Sequence, residues 1–276
     1  MLRSGRSAYT NDLPIYTAFD AGAVRFPGAL VTDVPAELNR MLLRGQLDMS
    51  PISAFFYAQH TEELALLPDL CIGSRSDVWS VVLVSSSPPE ALDGATIAVT
   101  TESASGRNLL RILLEGRYRV NARFIETTDP LATARRGDPT LLIGDRAVEA
   151  RLTLPAGHIY DLGRLWHEWT KLDMVYAVWA VRRDALASNR DAVLSAMSAL
   201  REAQAWGVAN RDRVIAAAQA AHPRPPGFYA AYFDTLNFEF DAQARAGLDR
   251  FFTEAFGIGA IASIPSVDPE VLVVHS

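Results

Sequence analysis

Apolar and polar positions follow two rhythms along this chain. Short β-branched and apolar runs alternate with stretches whose apolar residues lie three and four apart, the pattern of strands separated by helices. Val31-Thr32-Asp33-Val34 reads as a strand end, and Pro35 suits the first turn of a helix. Leu38, Met41 and Leu42 then form one stripe, and Gly45 is a natural stop. Asp48 to Ser53 reads as a short strand and turn. Val81–Ser85, Thr96–Thr100, Thr140–Ile143 and Met174–Val181 are apolar enough for buried strands. Between the second and third of these, Leu109, Leu110, Leu113 and Leu114 mark a helix.

Residues 188–256 read as almost wholly helical. Their stripes are Val193, Met197 and Leu200; Phe228, Tyr229, Tyr232 and Phe233; and Leu248, Phe251, Phe252 and Phe256. Alternating strand and helix predicts α/β layers with mostly parallel sheets. Breaks near Ser85–Pro89 and Val178–Asp184 suggest two lobe crossings. The first lobe is then 1–88 plus 179–276, with 89–178 inserted as the second. The periodicity fits a single large α/β domain equally well.

Composition narrows the function. With 276 residues the chain is long enough for two cores, and 49% hydrophobic against 21% charged residues is ordinary for a folded protein. The formal net charge of −6 argues against nucleic acid as a partner. A small anion is still admissible, because a local group of N–H donors can hold one inside an acidic protein. Cys71 is the single cysteine, so no intramolecular disulfide forms. The N-terminal residues lack a signal-peptide pattern, and no run of about 18 apolar residues suggests a membrane span. The expectation is a cytoplasmic protein.

Several chemistries lack their motifs. His60, His158, His167, His222 and His275 are not at helix spacing from one another, and neither HExxH nor CxxC occurs, so no metal is expected. P-loop, GxGxxG and GxSxG patterns are also missing.

The stretch Thr100 to Asn108 holds more promise. Its hydroxyls fall between a strand end and a helix start, where N–H groups and the helix dipole favour an anion. Ser103 and Ser105 can add donors to a carboxylate there, beside Gly106 and Arg107; plain N-capping by either serine accounts for the same residues. Asn11 sits in a polar turn before Pro14, where a turn role is the default. Ser80 lies at a strand start among apolar neighbours, and Ser50 and Ser53 flank Pro51; each also fits a satisfied structural position. Asp145, after Gly144, reads as a turn or N-cap residue and is a lesser candidate for the wall of a cleft. Trp166, Trp169, Trp179 and Tyr176 read mainly as core.

Nine blocks of the sequence occur together in a telling order. They are Tyr9-Thr10-Asn11-Asp12-Leu13-Pro14, Val34-Pro35-Ala36-Glu37-Leu38-Asn39, Gly45-Gln46-Leu47-Asp48 with Pro51-Ile52-Ser53, Leu66-Leu67-Pro68-Asp69, Val78-Trp79-Ser80-Val81, Leu142 to Ala147, Tyr160-Asp161-Leu162-Gly163, Trp166-His167-Glu168-Trp169-Thr170 and Val175 to Ala180. Their order and spacing resemble the MqnA-type chorismate dehydratases of the futalosine route to menaquinone. The resemblance implies a two-lobed, periplasmic-binding-protein-like (type II) α/β fold with a ligand cleft between lobes. It implies loss of water from chorismate, a small dianion, to give 3-[(1-carboxyvinyl)oxy]benzoate without a cofactor. The family's functional asparagine maps to Asn11 and its functional serine to Ser80.

On that basis one substrate carboxylate is expected near Ser103–Arg107 and the other near Ser50 and Ser53. A substrate carboxylate is a plausible acceptor for the ring proton, because few strong acids or bases are visible. The chain also departs from the family. Ser76-Asp77 replaces a Gly-Pro, Asp12 stands where a neutral hydroxyl residue is commoner, and the helix start reads Ser-Ala-Ser-Gly-Arg rather than Ser-x-Thr-Ser. These departures leave room for another ligand. A non-catalytic small-anion binding protein or sensor, and a dihydroxynaphthoate synthase-like enzyme, are the alternatives.

Overall fold

The chain builds two sheets, and each is completed by a strand that has just crossed from the other. The computed structural model describes residues 1–100 and 104–270. In the first sheet β1 (Arg3–Ser7), β2 (Ala29–Asp33) and β3 (Met49–Ser53) run parallel, with β1 in the middle. After β4 (Leu64–Ser74) the chain crosses. The second sheet holds β5 (Val81–Val84), β6 (Thr96–Val99), β7 (Arg123–Glu126), β8 (Thr140–Ile143) and β9 (Ile159–Asp161). β10 (Met174–Arg182) and β11 (Leu236–Glu239) return to the first. The strand orders are β11-β4-β10-β3-β1-β2 and β7-β6-β8-β5-β9. β10 lies antiparallel between β3 and β4, and β5 lies antiparallel between β8 and β9.

This exchange explains the unbroken apolar runs of the crossing strands. In β5, Val81 and Leu83 enter one buried cluster while Val82 and Val84 enter another. In β10, Val178 and Ala180 face one core, and Trp179 and Val181 face a second. A strand covered on both faces has no polar side to show. The largest cluster draws Ile52 and Leu83 from the two sheets and Trp166 and Phe251 from helices, so the lobes share a core at their junction.

The helices cover these sheets in chain order: α1 (Leu13–Asp20), α2 (Pro35–Leu43), α3 (Ala54–Gln59), α4 (Ala104–Ile112), α5 (Pro130–Arg135), α6 (Gly144–Thr153), α7 (Leu162–Thr170), α8 (Arg183–Ser188), α9 (Arg190–Ala209), α10 (Arg211–Ala221), α11 (Phe228–Asp234) and α12 (Ala242–Gly257). In α2 the expected stripe is in place, with Leu38 and Leu42 fully buried. The Leu109, Leu110, Leu113, Leu114 stripe is buried too, although it continues through a π-helical turn over Leu113–Tyr118. Trp166 and Trp179 are core residues. Among the described residues no helix is long and apolar enough to cross a membrane.

Three sequence readings need correction. The sheet crossings fall between Ser74 and Val81 and between Asp161 and Met174, not at 88/89 and 178/179. The prolines after Ser85 mark the end of a strand already in the second sheet, because Val81–Val84 pairs with Thr140–Ile143. The tail is not wholly helical either: β11 extends the first sheet along the free edge of β4. Phe256, assigned to the buried stripe of α12, is 48% exposed near the helix end.

Candidate active site

A cavity opens where the two lobes meet, and it is lined from both. The first lobe contributes the short turn Thr10–Asp12, the end of β3 and the middle of β10; the second contributes the start of α4 and the junction of β8 with α6. The crossing segment brings Val78, Ser80 and Val81 to the same space. Across the mouth, Tyr9 packs on Gly144, where an added Cβ would lie 3.3 Å from the ring; Gly144 also has φ +57, a backbone that favours glycine. Among the described residues no lysine or arginine lines the cavity. An anion there has to be met by N–H and O–H donors.

The turn before Pro14 is more unusual than its sequence suggests. Pro14 sits in the first turn of α1, and Thr10–Asp12 forms a 3-10 turn leading into it. Asn11 and Asp12 both line the cavity. The Asn11 Oδ1 is buried with no hydrogen-bond partner among the described residues, and so are Thr10 Oγ1 and Asp12 Oδ1. Asp12 is 2% exposed. Its Oδ2 accepts the Ser7 N–H at 3.0 Å. Burial pushes its carboxyl up to about 7, against the smaller opposing pulls of the Ser7 N–H and Arg6. Arg6 does not pair with it, because its guanidinium is held by Asp20 at 2.6 Å and lies over the Tyr16 ring. In the sequence Asp12 stands out only as a departure from the family, not as a functional group. Its place directly after the candidate Asn11 is the signal that could have found it.

Ser80 is positioned from the second lobe. Trp79, just before it, has φ 60, a left-handed backbone that costs about 1–3 kcal/mol for a non-glycine residue. Asp161 holds this conformation: its carboxylate accepts the Val78 N–H at 3.1 Å and the Trp79 N–H at 2.8 Å, and also caps α7 through the Arg164 N–H. The Trp79 ring is stacked on Tyr232 and covered by Arg151 at 4.7 Å. Ser80 Oγ donates to the Val78 carbonyl at 3.3 Å and lies close to the buried Tyr232 hydroxyl. Asp77 does not line the cavity. It pairs with Arg164 through two 2.6 Å bonds, and that pairing holds its carboxyl below the usual range.

The serines expected to bind carboxylates divide differently. Ser53 and Ser105 do meet at the cavity, their hydroxyls 2.7 Å apart. Ser105 donates to the Tyr176 carbonyl at 2.8 Å and accepts the Phe55 N–H at 3.1 Å. Ser53 therefore gives its hydrogen to Ser105, while capping α3 by accepting the Phe56 N–H. A hydroxyl has one hydrogen to give. Neither serine has one left for a substrate carboxylate, and together they pin the start of α4 to the first lobe. Gly106 lines the cavity beside them.

Three other candidates lie elsewhere. Ser50 is fully buried, and its hydroxyl donates to the Pro51 carbonyl and packs where a Cβ on Gly5 would stand, so it serves the contact between β1 and β3. Arg107 turns outward, to Glu126 at 3.3 Å and to the Phe124 ring. Asp145 is not among the lining residues, and its carboxylate lies 3.9 Å from the His222 Nε2. Ser103 lies outside the described residues. Among the described residues no group of three His, Cys, Asp or Glu can hold a metal ion.

Comparison with known proteins identifies the family and the fold. The sequence profile of a family described as "Menaquinone biosynthesis" matches residues 2–256. The chain is 34% identical over 244 residues to the chorismate dehydratase of Thermus thermophilus, covering 82% of this chain and 85% of that one. It is 25% identical over 274 residues to the 1,4-dihydroxy-6-naphtoate synthase of the same organism, covering 96% and 97%. Its fold superposes on the periplasmic aliphatic sulphonate binding protein SsuA of Escherichia coli with a TM-score of 0.70 at 16% identity, over 100% of this chain and 94% of that chain. The fold is thus periplasmic-binding-protein-like.

Proposed function

The chain belongs to the menaquinone-biosynthesis family, and we propose that it is a cytoplasmic hydro-lyase that removes water from chorismate to give 3-[(1-carboxyvinyl)oxy]benzoate. The observation that carries this reading is the meeting of Asn11 and Ser80 in one interlobe cavity, on a chain 34% identical to a chorismate dehydratase. The reaction takes a hydroxyl and a proton from neighbouring ring carbons and leaves an aromatic ring. It is redox-neutral, and aromatisation drives it, so it requires no cofactor.

Asn11 supplies an amide N–H donor and a carbonyl oxygen with no other partner among the described residues. Ser80, held beside Tyr232, supplies a hydroxyl. Oriented donors on a leaving oxygen are worth about 10²–10³ in rate when water is excluded. A substrate carboxylate accepts the ring proton. The 25% identical naphthoate synthase relative supports a second reading less well, because the identity is lower over a longer alignment.

The test is incubation of the purified protein with chorismate, read by mass for loss of one water and by the absorbance of the benzoate product. Saturable product formation supports the dehydratase reading. Tight chorismate binding with no product points instead to a non-catalytic anion-binding protein, and neither binding nor product from folded protein points to another substrate of the futalosine route.

A further inference from the structure

Among the described residues, the wall of the cavity holds one acid that the reaction scheme has not used. Asp12 is 2% exposed, lines the cavity in the same turn as Asn11, and is fixed through one oxygen by the Ser7 N–H at 3.0 Å. Its other oxygen is buried and has no partner among the described residues. An ionised carboxylate in that setting would leave a buried charge with one hydrogen bond and no ion pair, a costly state. A neutral carboxyl has an O–H to give and needs an acceptor, which a ring hydroxyl provides.

Resting on the dehydratase reading, we propose that Asp12 is the acid that protonates the departing ring hydroxyl. The C–H bond on the neighbouring ring carbon breaks, its electron pair forms the new ring double bond, and its proton goes to a substrate carboxylate. The C–O bond breaks with its electron pair on oxygen, which takes the Asp12 proton and leaves as water. Asp12 recovers a proton from the product's carboxylic acid, directly or through water. One H and one OH leave the ring, and nothing is oxidised or reduced.

Burial favours this state, and the one nearby charge, Arg6, opposes it only weakly. Arg6 on β1 is engaged by Asp20, and the other titratable neighbours, Tyr16 on α1 and Tyr232 on α11, are buried phenols whose own ionisation is pushed up in part by Asp12. On α6, which packs against the turn, Asp145 acts on Tyr232 and lies beside His222. A bound dianion raises the Asp12 carboxyl further, because like charges disfavour its ionised form. The acid at position 12 is thereby compatible with a doubly negative substrate, where a permanent carboxylate would repel it.

The test compares wild type with Asp12→Asn, which keeps an oxygen for the Ser7 N–H, after near-ultraviolet dichroism has shown both to be folded. In wild type, kcat/KM for chorismate falls as pH rises through about 7, the value of the free carboxyl, and the decline in kcat lies at higher pH. In Asp12→Asn, kcat drops on the order of 10²–10⁴-fold, KM moves little, and the alkaline decline is gone. A variant with near wild-type kcat and an unchanged pH profile overturns the role of Asp12 and leaves the dehydratase reading intact. Wild-type protein that binds chorismate without turning it over overturns both. Carbon-13 titration of the wild-type carboxyls reads the Asp12 proton directly, with no need of turnover: a signal titrating near 7 supports the proposal. One titrating in the ordinary range near 4 overturns it even if Asp12→Asn does not fold.

Discussion

The two walls of the cleft are built on opposite principles. At the start of α4, Ser53 spends its hydrogen on Ser105 and Ser105 spends its own on the Tyr176 carbonyl, so among the described residues the hydroxyls of this wall are satisfied. Opposite, the Thr10–Asp12 turn leaves three buried oxygens without partners among the described residues. Native proteins seldom leave buried polar atoms unpaired, and three together beside a cavity leave hydrogen-bonding capacity open to a bound molecule. The satisfied wall joins the lobes; under the function proposed above, the chemistry falls to the unsatisfied wall. A motif of hydroxyls at a helix start is therefore a weaker guide to the site than the unfilled hydrogen-bonding capacity facing it.

The sharpest way to break this contrast is to truncate the unsatisfied wall and its partner. Asn11→Ala or Ser80→Ala should each lower kcat by about 10²–10³-fold with little change in melting temperature, measured by steady-state kinetics beside thermal unfolding. Near wild-type turnover in either folded variant would mean that the open hydrogen bonds of the turn are not catalytic. Next comes the support of Ser80. Asp161→Ala removes the acceptor of the Val78, Trp79 and Arg164 N–H groups. It should cost roughly 2–4 kcal/mol of stability in denaturant unfolding, since hydrogen bonds to a charged group are the strong ones. Trp79 then relaxes from its left-handed backbone, and turnover falls because Ser80 is no longer held in place. An Asp161→Ala protein of wild-type stability would show that the strained turn is held by the packing of Trp79 on Tyr232 instead.

The satisfied wall predicts the reverse balance. Ser105→Ala leaves the Phe55 N–H and the Tyr176 carbonyl without a partner, so it should lose about 1–3 kcal/mol of stability while kcat changes by less than in the Asn11 variant. If Ser105→Ala instead raises KM steeply at unchanged stability, the hydroxyl binds substrate and the contrast between the walls is wrong.

These outcomes also mark what the sequence could disclose. The apolar runs of β5, β8 and β10 are legible because strands covered on both faces have no polar alternative. β1, by contrast, reads Arg3-Ser4-Gly5-Arg6-Ser7 and carries no such signal, although it is the middle of three parallel strands. Its place depends on close approach, since Gly5 leaves room for Ser50. The lobe boundary is misread because Pro88-Pro89 punctuates the chain more strongly than the turn at Trp79, whose strained backbone is invisible in a residue name. Asn11, Ser80 and Ser105 emerge as candidates through the resemblance and the helix start. The exhaustion of the Ser53 and Ser105 donors is not readable, because it rests on a pairing across 52 positions. The elevated Asp12 carboxyl likewise depends on burial beside Tyr16 and Tyr232, which no local pattern reveals.

The smallest expected effect tests the outer side of the same helix start. Arg107 is 41% exposed, paired with a Glu126 that is 60% exposed, and placed over the Phe124 ring. An ion pair that open to solvent is worth about 0–1 kcal/mol. Arg107→Ala should therefore leave stability nearly unchanged, and KM for chorismate should stay within about threefold, because the guanidinium faces away from the cavity. The distinction matters because it isolates charge from position. If KM rises tenfold or more, about 1.4 kcal/mol of binding, and the rise shrinks in high salt, Arg107 attracts the dianion at long range. A rise that salt does not change would require Arg107 to swing inward and touch the substrate, and the start of α4 would then have a binding role beyond joining the lobes.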